Sequence, residues 1–245
     1  MYTMTCIVDI GVGRKTNDDR VLLNCNVVRD GYFEAHSEKV LALVCDGVGG
    51  ELYGDVAAEL VVTHFSQLFD LDITTDIVYA NIINANEKVI YAQKKSRMHS
   101  NMSTTLAGIY INGENFIVFN IGDSRVYRFR PPYLAQLSID HSMSEELKNL
   151  CVDGTIAKDG TLTRYIGSKK PVPDIIDGKG KVFDCDVFIV CSDGISDVLS
   201  DEELEKILSN DEGFTDKTIC EKLITVAKNK NSRDNLSVVI IRSEY

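Results

Sequence analysis

Positive charge is what this sequence most lacks: 26 Lys and Arg stand against 37 Asp and Glu, for a net charge of −11. General affinity for nucleic acid or an anionic membrane surface needs a positive footprint, so neither is expected as a partner. No apolar run approaches the ~20 residues of a membrane span, and no charged-then-apolar leader opens the chain. Proline is scarce, at four residues, and no linker, low-complexity tract or solenoid-period repeat interrupts the sequence. The seven cysteines (Cys6, Cys25, Cys45, Cys151, Cys185, Cys191 and Cys220) include no C-x-x-C pair, which excludes a zinc knuckle or a thioredoxin-like motif. Most of them sit in apolar runs and read as small buried hydrophobes in a reducing compartment, so a cytoplasmic location is expected.

What is present is enough apolar sequence, 44% of residues, to build a sizeable core. We expect a single domain over 1–245 and an α+β class, because strands come in runs and helices in pairs. Strands are predicted at Cys6 to Ile10, Val21 to Val28 and Lys39 to Cys45. Apolar stripes at helical spacing predict helices over Asp55 to Phe69 and Ile77 to Lys95. Strands resume at Thr105 to Ile111, Asn115 to Ile121 and Arg125 to Phe129, the first two joined by the hairpin signal Asn112-Gly113. Pro131-Pro132 marks a further hairpin turn, and Pro171 and Pro173 fall in a loop. After a less regular part, Ser138 to Gly167, come a buried strand at Val187 to Cys191, helices at Glu202 to Leu208 and Thr215 to Lys228, and a closing strand at Leu236 to Ile241.

The chemistry is concentrated at strand ends. "LALVCDGVGG" (Leu41 to Gly50) and "VFIVCSDG" (Val187 to Gly194) each drive an apolar strand into an Asp-Gly pair. A carboxylate at the end of a buried strand is costly unless it is paired or holds a cation. The following glycine lets backbone approach a ligand closely, and carboxylate and carbonyl oxygens are the donors that Mg²⁺ or Mn²⁺ prefers. The same pattern also serves a turn or a helix cap, and two such ends do not separate the readings. Further acidic segments lie at other strand edges: Asp18 and Asp19 in "GRKTNDDR", Asp123 in "NIGDSRVYR" and Asp234 in "SRDNLSVVII".

The ordered set "GRKTNDD", "CDGVGG", "STTLAG", "NIGDSRVYRF", "DHS", "LTRYIG", "CSDGISDVL" and "RDNLSVV", spanning Arg14 to Val239, resembles the bacterial branch of the metal-dependent type 2C protein serine/threonine phosphatases. The resemblance implies a four-layer αββα sandwich, two antiparallel sheets flanked by helical pairs, with metals at one edge. It implies Mn²⁺ or Mg²⁺, two per chain with a third weaker one. Asp46 would bridge two ions, Gly47 would offer its carbonyl, Asp193 and Asp234 would complete the first metal, and Asp123 would share the third with Asp193. Arg14 would bind the substrate phosphate with its fork of donors, while Asp18 and Asp19 would orient water. No cysteine is followed six residues later by Arg, so a cysteine nucleophile is not expected.

Val48 stands where many eukaryotic members carry a histidine, and Val donates no proton. His141, in "DHS", is read as structural; His36, His64 and His99 as surface or helix-face residues. Residues 142–160 correspond to the family's flap, here short and weakly matched. The expected partners are phosphorylated proteins, substrates of a Ser/Thr kinase, and the expected state is a monomer. Two alternatives remain: a non-catalytic phosphoprotein-binding domain of the same fold, and a phosphatase dedicated to one regulatory partner.

Overall fold

The computed structural model describes residues 1–48, 53–95, 100–150, 160–178, 182–209 and 215–243. In chain order the elements are β1 (Tyr2–Asp9), β2 (Arg20–Leu23), β3 (Asn26–Val28), β4 (Gly31–Ser37), β5 (Lys39–Cys45), β6 (Gly47–Val48), α1 (Gly54–Phe65), α2 (Thr75–Lys95), β7 (Ser103–Thr104), β8 (Leu106–Asn112), β9 (Asn115–Ile121), β10 (Arg125–Arg130), β11 (Tyr133–Gln136), α3 (Met143–Asn149), β12 (Asp174–Gly178), β13 (Val187–Cys191), α4 (Asp193–Ser196), α5 (Asp201–Ser209), α6 (Asp216–Asn229) and β14 (Leu236–Ser243). A single 3₁₀ turn, Ser66–Leu68, continues α1.

Two six-stranded sheets form, one in the order β11-β10-β13-β14-β1-β4 and the other β12-β9-β8-β5-β2-β3. All their pairings are antiparallel. The continuous apolar strands explain the layering, because alternate side chains leave a strand on opposite faces. Along β5, Leu41, Leu43 and Cys45 pack with Val61, Phe65 and Ile82 of α1 and α2. Val40, Ala42 and Val44 face the other way, into the layer between the sheets with Met4, Cys6 and Val239. On β14, Val239 and Ile241 enter that central layer, while Leu236, Val238 and Ile240 meet Leu204, Leu223 and Ala227 of α5 and α6. Helices, sheet, sheet, helices: the four-layer αββα sandwich is present. Among the described residues no helix is long and apolar enough to cross a membrane.

Several expectations need correction. The strand expected over Val21 to Val28 is two strands joined by a tight turn, because Asn24 takes φ 57° and binds back to Leu41, receiving its N–H at 2.9 Å and donating its own at 2.7 Å. β4 was not expected: its exposed, charged sequence pairs with β1 as an edge strand and never forms an apolar run. β12, beyond Pro173, was also missed. The part between Ser138 and Gly167 contains α3, capped by the Ser142 hydroxyl, and residues 151–159 of the expected flap lie outside the described residues. The hairpin at Pro131-Pro132 is as expected, joining β10 to β11. His99 and Cys151 lie outside the described residues.

Candidate active site

The antiparallel order brings the carboxyl ends of β5 and β13 and the start of β14 to the same edge of the sandwich. Asp46 follows β5, Asp193 follows β13 and Asp234 precedes β14. The connection between β1 and β2 lies over them. A cleft of about 410 Å³ is lined by Arg14, Lys15, Asp18, Asp46, Gly47, Val48, Asp193 and Asp234. Seven of the eight residues singled out from the sequence are therefore explained by two neighbouring places: six line this cleft, and Asp123 lines an adjoining one of about 210 Å³ with Asp193, Asp197 and Ser142. The eighth, Asp19, lies behind the cleft wall, 1% exposed, with Oδ2 receiving the Ser192 hydroxyl at 2.9 Å. Its place is that of a group acting through its neighbours rather than on a ligand in the cleft.

Each carboxylate is positioned through its backbone. The Asp46 N–H donates to Thr105 Oγ1 at 3.0 Å, and its carbonyl receives both the Thr105 N–H and the Thr104 hydroxyl at 2.8 Å. Thr105 Oγ1 also lies 2.7 Å from Ser124 Oγ, linking this strand end to the turn that carries Asp123. That turn is pinned on its other side by His141, whose Nδ1 receives the Gly122 N–H at 3.1 Å. His141 Nε2 lies 3.0 Å from Asp174 and the residue is 2% exposed, which is the structural role expected of it. His64, on α1, receives Lys88 Nζ at Nδ1, and His36 is exposed on β4.

Gly47 and Gly54 pack backbone to backbone: a Cβ at Gly47 would stand 2.4 Å from the Gly54 oxygen, and one at Gly54 would stand 2.6 Å from the Gly47 oxygen. Only glycine at both positions allows these two backbones to approach so closely.

Asp18 is held on every side. Its N–H donates to Asn235 Oδ1 at 2.9 Å, its carbonyl receives the Gly47 N–H at 3.2 Å, and the flanking carbonyls of Asn17 and Asp19 both receive Arg20 Nη1. Asn235 also donates Nδ2 to the carbonyls of Ile10 and Thr16, at 2.8 and 3.0 Å. Arg14 donates Nε to the Arg233 carbonyl at 3.0 Å and Nη2 to Asp234 Oδ2 at 2.6 Å. Arg20, Asn235, Thr104 and Thr105 were not singled out from the sequence. The available signal was adjacency: each lies one or two residues from a chosen aspartate or inside a quoted motif, but a buried tether looks like any polar residue in a sequence.

The electrostatics of the cleft are those of carboxylates short of positive charge. Burial pushes the Asp46 carboxyl well above the usual range, with Asp193, Asp19 and Asp234 adding to it. Burial, then Asp234, raises Asp193 to about 6. Burial raises Asp19 to about 7 against the pull of its Ser237 and Ser192 hydrogen bonds, and burial followed by Asp193 raises Asp123 to about 8. Asp18 is raised more modestly, again by burial first. The Asp46 and Asp193 carboxyls lie close enough for each to act on the other's titration, and neither forms an ion pair with Lys or Arg among the described residues. Asp193 Oδ1 and Asp19 Oδ1 are buried without a hydrogen-bond partner.

Among the described residues no three His, Cys, Asp or Glu side chains stand ready as a closed ion cage. Asp234 is turned to Arg14 instead. The donor set nevertheless suits a hard divalent cation: oxygen only, anionic, partly desolvated and with orphaned lone pairs.

Comparison with known proteins agrees with this arrangement. A family model described as Protein phosphatase 2C matches residues 24–236. The serine/threonine phosphatase stp of Listeria monocytogenes is 28% identical over 234 residues, covering 87% of this chain and 88% of that protein. The solved serine/threonine phosphatase of S. agalactiae superposes with a TM-score of 0.85 at 27% identity, covering 100% of both chains. The catalytic domain of the phosphatase PstP, solved in complex with two manganese ions, shares the fold with a TM-score of 0.79 at 24% identity, covering 99% of this chain and 98% of that one. With its four-layer sandwich and a family match running from the end of β2 to the start of β14, the chain belongs to the protein phosphatase 2C family.

Proposed function

We propose that this chain hydrolyses phosphoserine and phosphothreonine in proteins, acting as one domain, as a monomer and in the cytoplasm, on substrates of a Ser/Thr kinase. The observation that carries the reading is the cluster of Asp46, Asp193 and Asp234 beside Arg14 in one cleft, where Asp46 and Asp193 have no basic partner among the described residues and Arg14 is held at the cleft by Asp234. Asp46, the Gly47 carbonyl, Asp193 and Asp234 would hold two Mn²⁺ or Mg²⁺ ions, and Asp123 with Asp193 a third. When bound, such ions activate water for attack on phosphorus and neutralise charge on the phosphoryl oxygens.

The chain's own residues do the rest. Arg14 presents its guanidinium from a loop fixed at both ends by Asn235, so that its Nη groups can leave Asp234 for the equatorial oxygens of a phosphoryl group. Asp18, pinned through its backbone, offers its carboxylate to the attacking water as an acceptor. Asp19 steadies Ser192 and hence the backbone next to Asp193. Val48 lines the cleft without a proton to give, and His141 is committed to Gly122 and Asp174, so neither supplies a proton to the leaving group. The full set of carboxylates and Arg14 argues against the non-catalytic alternative.

Asp193 lines the main cleft, the Asp123 cleft and a third recess beside Arg14. Asp193→Ala is therefore expected to abolish Mn²⁺-dependent release of phosphate from a phosphothreonine peptide, by more than about a thousandfold in kcat. Metal-independent turnover that survives this change refutes the proposal.

A further inference from the structure

On a chain with a net charge of −11, three basic side chains stand around Asp234, shared between the carboxylate cleft and the recess next to it. Arg14 and Lys15 line the main cleft of about 410 Å³. Arg14 and Arg233 line a second recess of about 240 Å³ on the far side of Asp234, together with Asp197, Asn231 and Ser232. Arg14 is therefore the shared wall, with Lys15 on one side and Arg233 on the other.

Their bonding differs in a way that separates their roles. Arg14 is tied down by the Arg233 carbonyl and by Asp234. The side chains of Lys15 and Arg233 are exposed and form no hydrogen bond or ion pair among the described residues. Their backbones are not loose. Asn235 fastens the loop bearing Lys15 through Ile10 and Thr16, and the Gly11 N–H donates to Asp9 Oδ1 at 2.8 Å. Arg233 is held through its carbonyl by Arg14, and its neighbour Ser232 donates its hydroxyl to Gly194 at 2.8 Å.

We propose that Lys15 and Arg233 are specificity-determining residues that select phosphoprotein segments carrying acidic side chains on both sides of the phosphorylated residue. This rests on the phosphatase reading above. An extended segment advances ~3.3 Å per residue, so residues one or two places from a phosphate seated on Arg14 come within reach of long basic side chains. The overall negative charge repels acidic segments from most of the surface, and the basic rim makes the cleft mouth the place where they are accepted. A Lys or Arg beside the phosphorylated residue meets this rim as a like charge and is disfavoured.

The test compares kcat/KM with Mn²⁺ for two phosphothreonine peptides, one flanked by Glu and its counterpart flanked by Lys, on wild type, Lys15→Glu, Arg233→Glu and the double variant. Wild type should favour the acidic peptide. Each reversal should lower the acidic-to-basic ratio roughly fivefold, through KM, and the double variant should invert it. Added salt should flatten the wild-type preference. Lys217→Glu, an equal charge change at the start of α6 where Lys217 pairs with Glu221, should leave the ratio in place. If a Glu variant folds poorly, Lys15→Gln and Arg233→Gln should move the ratio in the same direction by a smaller factor. A wild-type ratio near one, or a ratio that neither reversal moves, overturns the inference. Failure of wild type to hydrolyse either peptide or p-nitrophenyl phosphate overturns the phosphatase reading instead.

Discussion

Arg20 offers the sharpest test of how the acidic loop is positioned, because it touches no ligand yet bears on Asp18 and Asp19. The residue is 8% exposed. Its Nη1 donates to the Asn17 and Asp19 carbonyls at 2.8 and 2.7 Å. Its Nε donates to Glu59 at 2.9 Å, and its Nη2 lies 3.5 Å from Asp55. One guanidinium therefore joins the loop before β2 to the first turns of α1, whose Gly54 packs on Gly47. Hydrogen bonds to a charged group are worth about 1.5–3 kcal/mol each, and the two carbonyls have no other protein donor among the described contacts. Arg20→Lys keeps the charge but loses the fork, so one carbonyl goes unserved. The expected cost is about 2 kcal/mol in urea unfolding.

The stability loss alone would describe any buried arginine. The discriminating quantity is affinity for Mn²⁺, measured by calorimetry: if Arg20 sets the position of the Asp18 segment against Asp46 and Gly47, Arg20→Lys should weaken binding about tenfold, equivalent to ~1.4 kcal/mol. Glu59→Gln makes the comparison. Glu59 also pairs with the exposed Arg29, so its loss leaves the Arg20 contacts to the two carbonyls in place and should change Mn²⁺ affinity by less than about twofold. Equal affinities in Arg20→Lys and wild type, with stability lowered as expected, would refute the coupling and leave Arg20 a purely structural residue.

Two further outcomes follow from the same cluster. Asp193 and Asp19 have native carboxyls raised from 3.8 to about 6 and about 7, by burial first, so the metal-free folded chain binds more protons than the unfolded chain between those values. Stability is then full below pH 3.8 as far as these groups are concerned, falls as pH rises above that value, and levels off once pH has passed about 6 for Asp193 and about 7 for Asp19. In EDTA the urea midpoint should fall steadily between about pH 4 and pH 7, by the equivalent of several kcal/mol, and Mn²⁺ at pH 7.5 should restore it; a midpoint indifferent to both would contradict the reading. Gly11, at φ 76°, has the Asp234 oxygen 1.9 Å from where a Cβ would stand, whereas Gly13, at φ 88°, has nothing within 4 Å. Gly11→Ala should cost about 3 kcal/mol and weaken Mn²⁺ binding by displacing Asp234, while Gly13→Ala should cost only about 1 kcal/mol, both read by urea unfolding and calorimetry.

The fold was legible where one strand serves two layers. β5, β13 and the Val238 to Ile241 stretch of β14 are apolar at nearly every position because one face meets helices and the other meets the second sheet, and that demand shows in the sequence as an unbroken run. β4 and β12 were illegible for the converse reason: they pair at sheet edges, bury little, and their backbone hydrogen bonds leave no trace in residue type. Asn24 hid the β2–β3 turn because an asparagine at positive φ, tied to Leu41, stands inside what reads as one β-branched strand.

The site was legible in its aspartates and not in its tethers, and the glycines show why spacing alone could not decide between a turn and a metal. Gly194 must be glycine because a Cβ there would stand 2.0 Å from the Asn235 oxygen, and Gly47 because it packs on Gly54. Both glycines of the Asp-Gly pairs thus have a backbone reason that would hold with no ion anywhere near. Asp234 likewise has Arg14 and its own Asn235 N–H as partners. What a turn does not account for is Asp46 beside Asp193, two buried carboxyls that act on each other's titration, with a buried Asp193 oxygen left without a partner. Folding around such a pair lowers stability near neutral pH, and Arg125 on β10, which lines the adjoining recess with Asp193, is already spent on Asp140 through hydrogen bonds of 2.7 to 3.0 Å. With Arg14 paired to Asp234 and Arg125 to Asp140, Asp46 and Asp193 are left without a positive partner among the described residues, and that deficit is what a divalent cation would fill.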